Sequence, residues 1–141
     1  MSPIEHPIAY ASALAALHAQ CFAKPWSEDE IKTLLTLPTT ILWITAQGFL
    51  MCSKIADEME ILTIGVLPAY RRQHIASNFL QSMLNYASQN DIHGIFLEVS
   101  ITNQPAQALY YRFGFQEIGR RRGYYRTEQG AVDALCLKRI I

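Results

Sequence analysis

The chain of 141 residues balances 12 Lys+Arg against 12 Asp+Glu, and half of its residues are hydrophobic. This fits one domain spanning 1–141 with a sizeable core, and it excludes a wholly disordered chain. Zero net charge argues against a general nucleic-acid binder, and no apolar run reaches the roughly 18–20 residues of a membrane span.

Residues 9–22 are rich in Ala and Leu and predict a helix. Lys24-Pro25 breaks it. Ser27 stands three before Glu30, a capping-box spacing that predicts a short helix over 28–36, ending before Pro38. The β-branched and aromatic run 40–46 predicts a strand, Gln47-Gly48 a turn, and 49–55 and 59–66 two further strands. Ile75, Phe79, Leu80, Met83, Leu84 and Ala87 recur at helical spacing and predict an amphipathic helix over 72–89. Residues 94–99 are mostly apolar and read as a strand covered on both faces. A helix over 105–113 closes at Gly114 as a left-handed cap. Two last strands, 115–122 and 132–139, flank a Tyr-rich loop. The order α, α, β, β, β, α, β, α, β, β gives an α/β domain with a mixed sheet, and any strand before residue 9 is too short to read.

Other features narrow the class. Glu5 and His6 stand where a secretory leader would carry basic and then apolar residues. Cys21, Cys52 and Cys136 are odd in number and far apart, which argues for packing in a reducing cytoplasm over a disulfide framework or a zinc site. No His/Cys/Asp cluster has metal-ligand spacing. Residues 1–60 hold seven acids and three bases, while the remainder holds nine bases and five acids. Surface scatter explains such a split; as a functional feature it would set a cation-seeking part against a polyanion-seeking one. His18 and Cys21 lie close on the first helix without a general-base partner and read as packing. His93 reads as a surface turn residue.

The segment Val66 to Ala76 joins a strand to the start of the long helix. The first amides of a helix have no internal partners and sit at the positive end of its dipole, so a pyrophosphate can be cradled there. Arg71 and Arg72 add charge. Both the P-loop pattern GxxxxGK[ST] and the dinucleotide pattern GxGxxG are absent, which disfavours a Walker-type NTPase or a dehydrogenase.

The run V-x-P-x-Y-R-R-Q-x-I-A, followed by LEV-x-x-x-N-x-x-A-x-x-LY-x-x-x-GF, resembles the GNAT superfamily of acetyl-CoA-dependent N-acetyltransferases. Pro25-Trp26-Ser27 and the tail Arg121-Arg122-Gly123-Tyr124-Tyr125 make it most similar to the bacterial RimI type, which acetylates the N-terminal alanine of a ribosomal protein. The resemblance spans about residues 9–139. It implies the GNAT fold, a mostly antiparallel mixed sheet flanked by helices. It also implies acetyl-CoA as co-substrate and a protein N-terminus as partner. A cytoplasmic setting is expected, with no metal and no direct nucleic-acid or membrane partner. The oligomeric state is not readable from the chain, a monomer being slightly favoured.

The same resemblance assigns roles. The family's phosphate loop, commonly written Q/R-x-x-G-x-G/A, falls on Arg71, His74 and Ala76. The amides of Arg72, Gln73, His74, Ile75, Ala76 and Ser77 would hold the pyrophosphate. Ile64, Gly65 and Val66 would run beside the pantetheine arm like an added strand, and Asn103 would hydrogen-bond the cofactor. His74 departs from the usual glycine, whose freedom lets a backbone approach a phosphate closely.

Glu98 interrupts an apolar strand, and an isolated buried charge needs a partner, water or a role. It matches the family's general base, and Tyr110 matches its general acid. A free α-amine has a pKa of roughly 7.7–8.0, so a carboxylate acting through water suffices to deprotonate it, while a phenol stays protonated and donates. The oxyanion would take a backbone donor at Val66 if the strand splays there. On the acceptor side, Trp26, Tyr124 and Tyr125 would line a peptide groove, and Glu28, Asp29 and Glu30 would suit a basic residue near the acceptor's N-terminus. Arg120, Arg121, Arg122 and Arg126 read as surface or ribosome-facing charge. No Cys is placed with a His, so direct transfer in a ternary complex is expected. Acetylation of a small amine or of lysine, and a non-catalytic binding module with an impaired cofactor loop, remain open alternatives.

Overall fold

The computed structural model describes residues 1–4 and 6–141, so Glu5 lies outside the described residues. A 3-10 turn, Pro7–Tyr10, leads into helix α1, Ala11–Cys21. Helix α2, Glu28–Leu35, starts on the capping box read from the sequence: Ser27 Oγ accepts from the Glu30 amide at 3.1 Å, and Glu30 Oε1 accepts from the Ser27 amide at 3.3 Å. Strands β1 (Thr40–Thr45), β2 (Gly48–Ile55) and β3 (Glu58–Val66) form an antiparallel meander. Helix α3 (Ile75–Gln89), strand β4 (Gly94–Ser100) and helix α4 (Gln104–Arg112) follow. Strands β5 (Gln116–Thr127) and β6 (Gly130–Ile140) close the chain as a hairpin.

The six strands lie in the order β1-β2-β3-β4-β6-β5, and only the β3–β4 contact is parallel. One sheet face, with Leu42, Phe49 and Met51, buries Leu14, Leu17, Ile31 and Leu35 of α1 and α2. The opposite face, with Trp43, Leu50, Ile95, Leu97 and Leu137, buries Phe79, Leu80 and Met83 of α3 and Tyr110 of α4. The helical periodicity around Phe79 and Met83 thus becomes the contact that fixes α3 across the parallel crossover. Among the described residues no helix is long and apolar enough to cross a membrane.

Three elements differ from the sequence reading. Helix α3 begins at Ile75, not at residue 72, because Arg72 (φ 65°) and His74 (φ 61°) both sit in the left-handed region. The Tyr-rich segment is no loop. β5 runs on to Thr127, with Tyr125 paired to Val132 and the turn at Glu128-Gln129. Between Arg121↔Ala134 and Tyr125↔Val132, three residues of β5 oppose Asp133 alone, so the strand bulges there. Gly123 takes φ 62° inside that bulge, and its amide donates to Asp133 Oδ1 at 2.9 Å. Finally, β4 is covered on one face only. Ile95, Leu97 and Val99 are buried, while the alternate Phe96, Glu98 and Ser100 are half-buried on the opposite face. Gly114 does form the left-handed cap, at φ 84°.

Candidate active site

Strands β3 and β4 pair at Glu58–Glu60 with Gly94–Phe96 and nowhere beyond. Past that point β3 continues through Val66, bonded to β2, and β4 continues through Ser100, bonded to β6. The two strands therefore splay into a gap whose walls carry backbone groups without strand partners on the gap side. A one-residue irregularity contributes. Met51 pairs with Thr63 and Cys52 with Ile61, leaving Leu62 as the extra residue on β3. The bulge sharpens the local twist and separates the residues before it from those after it. The sequence reading raised a splay only as a condition at Val66; the strand pairing shows that it begins after Glu60.

Glu98 lies on β4 in the splayed stretch, on the face away from α3 and α4. Its side chain is 24% exposed, so the carboxylate is not a buried charge in isolation. Arg121 Nη1 donates to both of its oxygens, at 2.9 and 3.1 Å. The guanidinium in turn lies over the Tyr124 ring, 4.0 Å from its centroid, a favourable cation–π placement. Tyr125 donates from its hydroxyl to the Glu98 carbonyl at 3.4 Å, and burial, then Tyr124 and Glu98, push its phenol above the ordinary value. Arg121 is therefore the partner of the candidate base, not free surface charge. The β5 bulge brings Arg121, Tyr124 and Tyr125 together over Glu98. Sequence reading missed Arg121 because 23 residues separate it from Glu98.

Tyr110 sits under the other face, 5% exposed, edge-on to Phe115 at 5.7 Å. Burial, with smaller contributions from the Cys52 thiol and the Tyr125 phenol, pushes its phenol well above the ordinary range. It stays protonated near neutrality, the state a proton donor needs. Among the described residues its hydroxyl makes no hydrogen bond. Glu98 and Tyr110 thus flank the gap from opposite faces of the sheet.

The loop after β3 has its own geometry. Arg71 Nε donates to the Val66 carbonyl at 3.1 Å, and its guanidinium charge acts on the Cys21 thiol, which lies beside Gly65. Arg71 thus braces the end of β3, although it is exposed, like Arg72 and Gln73. His74 is the N-cap of α3 without a side-chain cap bond, and its carbonyl accepts from the Asn78 amide at 3.0 Å. The first amides of α3, at Ile75, Ala76 and Ser77, belong to the orphan donors of that helix start. A non-glycine residue at φ 61° is uncommon, though His is among the more tolerant types. Gly65 has a packing reason of its own: a Cβ there would come within 2.6 Å of the Phe49 ring. Asn103 caps α4, with Oδ1 accepting from the Ala106 amide at 3.3 Å, which leaves its amide nitrogen as the free end.

The loop that carries Trp26 is built on His18. Its buried ring stacks on Trp26 at 4.9 Å and on Phe22 at 4.4 Å. Trp26 is half-buried, and Glu28, Asp29 and Glu30 are exposed on the first turn of α2. The open gap, an exposed helix start with free amides, and an exposed backbone edge fit an extended arm ending in phosphates. No group of three or more His, Cys, Asp and Glu stands together among the described residues as a metal site would need.

A splayed strand beside an open helix start, with a carboxylate on one face and a phenol on the other, fits an acyl-CoA-dependent transferase. Residues 11–115 match the acetyltransferase (GNAT) family, and the chain belongs to it. The chain is similar to the ribosomal protein bS18-alanine N-acetyltransferase of Escherichia coli K12, at 30% identity over 129 residues, 87% of each chain. It also resembles the N-alpha-acetyltransferase RimI of Mycobacterium tuberculosis H37Rv, at 40% identity over 82 residues, covering 58% of this chain and 49% of that one. The crystal structure of the E. coli ribosomal-protein-alanine enzyme superposes with a TM-score of 0.85 at 27% identity, over 99% of this chain and 92% of that one. Arabidopsis thaliana NAA60 bound to acetyl-CoA shares the fold, with a TM-score of 0.82 at 21% identity, over 99% and 96% of the two chains. The chain is an N-acetyltransferase by family, and the family uses acetyl-CoA.

Proposed function

We propose that this protein acetylates the N-terminal α-amine of a protein by direct transfer from acetyl-CoA, and that its acceptor is the N-terminal alanine of ribosomal protein bS18. The observation that carries this reading is the splay of β3 from β4, with Glu98 and Tyr110 on opposite faces of the gap. The relatives named for bS18 alanine acetylation support the choice of acceptor.

Acetyl-CoA supplies an activated acyl carbon as a thioester. Ile64, Gly65 and Val66 would hold its pantetheine arm by strand-like backbone pairing. The amides of Arg72 to Ser77 would take the pyrophosphate at the start of α3, with Arg72 adding charge and Asn103 donating from its free amide. Glu98 receives the proton of the acceptor's α-ammonium through water. The proton is only weakly held, because an α-amine has a pKa of roughly 7.7–8.0. Arg121 keeps the Glu98 carboxylate aimed at the open face. Tyr110 would protonate the thiolate that leaves as the carbon–nitrogen bond forms and the carbon–sulfur bond breaks, and its phenol would be reprotonated by the second proton the nitrogen gives up. Trp26, Tyr124 and Tyr125 line the approach of the peptide, since tyrosines offer flat contact at low entropic cost.

The test is to incubate the protein with acetyl-CoA and bS18 bearing a free N-terminal alanine, and to locate the added acetyl group by fragment mass spectrometry. The group is expected on the α-amine. An acetyl group on lysine, or none, would overturn the proposal.

A further inference from the structure

We propose that His18 is a positioning residue for the acceptor side of the site: as a neutral imidazole it locks the Trp26 loop onto β3, and it releases that loop when the ring takes a second proton. The inference rests on the reading of Trp26 as part of the acceptor groove.

His18 is 3% exposed on α1. Its Nδ1 accepts from the Trp26 amide at 3.2 Å, so that nitrogen carries no proton. The single proton of the neutral ring is then on Nε2, 3.4 Å from Thr63 Oγ1. Thr63 follows the Leu62 bulge and directly precedes Ile64, the first residue assigned to the cofactor arm. The ring is stacked with Phe22, Trp26 and Phe49, at 4.4, 4.9 and 5.6 Å. A phenylalanine would fill such a stack equally well. What the imidazole adds is one acceptor toward the acceptor-side loop and one donor toward the cofactor-side strand. It ties the two halves of the site together at a fixed spacing.

A doubly protonated ring has donors on both nitrogens. Its Nδ1–H would then face the Trp26 N–H, and the bond that holds the loop would be lost. Among the described residues, Glu30 on α2 is the charged group that acts on the ring, and it favours the cation. Helix α1 itself presents Cys21, which burial keeps as a thiol. β2 presents Phe49 and β3 presents Thr63, neither of which titrates in this range. Burial outweighs Glu30 and holds the imidazole below its ordinary value of 6.5. The neutral, loop-holding form therefore dominates at neutrality, and the switch lies on the acid side.

Two experiments on the full chain test the inference. The first is nitrogen-proton correlation NMR of the imidazole at about pH 7.5, a pH well above the ordinary His range. It should find Nδ1 bare and Nε2 protonated, with the Trp26 amide signal shifting as the ring titrates in acid. The opposite tautomer, or a Trp26 amide indifferent to that titration, would overturn it. The second compares His18→Phe with His18→Gln, which keeps an acceptor and a donor but takes no second proton. His18→Phe should raise the peptide KM roughly tenfold, by leaving the Trp26 amide without a partner, and keep the acetyl-CoA KM within about twofold. His18→Gln should restore most of the peptide KM. The wild-type to His18→Gln ratio of peptide KM should also climb as pH falls from about 7.5 to about 5.5, because acceptor protonation is common to both proteins. An unchanged peptide KM in His18→Phe, or a flat ratio, would refute the positioning role. Should no peptide be acetylated by the wild type, the proposed function falls, while the tautomer and the Trp26 amide still decide this inference by themselves.

Discussion

Glu98 shows how one residue can be half legible in a sequence. A carboxylate inside an otherwise apolar strand marked it as a group with a partner or a role. The partner itself was hidden, since Arg121 reaches it across the sheet through β6 and a bulge. His18 was read as packing for a similar reason: helical spacing reports its buried face, not the bonds of its two nitrogens. Replacing Glu98 by Gln should lower kcat by about a hundredfold or more, as expected for loss of a general base, and leave acetyl-CoA affinity within about twofold. Steady-state kinetics beside a calorimetric acetyl-CoA titration checks this, and an unchanged kcat would remove the base role. Tyr110→Phe should lower kcat without raising either KM, and a wild-type rate would leave Tyr110 a core residue. His74 carries a different cost. At φ 61° a β-branched side chain is strained, so His74→Val should destabilise the fold by about 1–2 kcal/mol. His74→Gly should be far milder, and thermal unfolding of the pair separates the two.

At the scale of elements, most of the fold was legible because period and punctuation agreed. Ser27 and Glu30 capped α2 as their spacing required, and Phe79, Leu80 and Met83 put α3 on its buried face. The tail was misread beyond residue 122 because Gly123 to Thr127 show no apolar alternation, and the pairing of Tyr125, Arg126 and Thr127 with Val132, Ala131 and Gly130 makes them strand. The start of α3 was misplaced because left-handed φ values at Arg72 and His74 leave no mark in hydrophobic periodicity. The loop before α3 also divides labour between two adjacent arginines. Both are exposed, but Arg71 is bonded to the Val66 carbonyl, whereas Arg72 makes no side-chain bond among the described residues. Arg72→Ala should therefore weaken acetyl-CoA most at low ionic strength, where an exposed charge is least screened. Arg71→Ala should weaken it with a smaller salt dependence, because part of its effect comes from loosening the end of β3. Binding titrations at two salt concentrations distinguish them, and equal salt slopes would contradict the division.

At the scale of the whole molecule, the sheet serves as a partition. Its parallel seam opens after three residue pairs, helices α3 and α4 pack on one face, and helices α1 and α2 and Glu98 lie on the other. The stability of this arrangement should depend on pH through His18. Burial depresses its folded pKa below 6.5, so the folded state prefers the neutral ring. The stability tied to this preference is fully present above the unfolded value, about 6.5, and is lost as pH falls from there through the folded value. Thermal melts of wild type and His18→Gln across that window should converge toward acid. Parallel curves would assign the acid loss to other groups.

The central claim is that this splayed sheet acetylates an α-amine and uses Glu98 to do so. Its most direct measurement is a competition in one tube, with acetyl-CoA, a peptide with a free N-terminal alanine, and a matched peptide with a blocked N-terminus and an internal lysine. Mass spectrometry would follow both peptides, with wild type and Glu98→Gln in parallel. Acetylation of the free-alanine peptide alone, lost in Glu98→Gln, is the predicted result; acetylation of the lysine peptide, or equal rates in the two proteins, would contradict it.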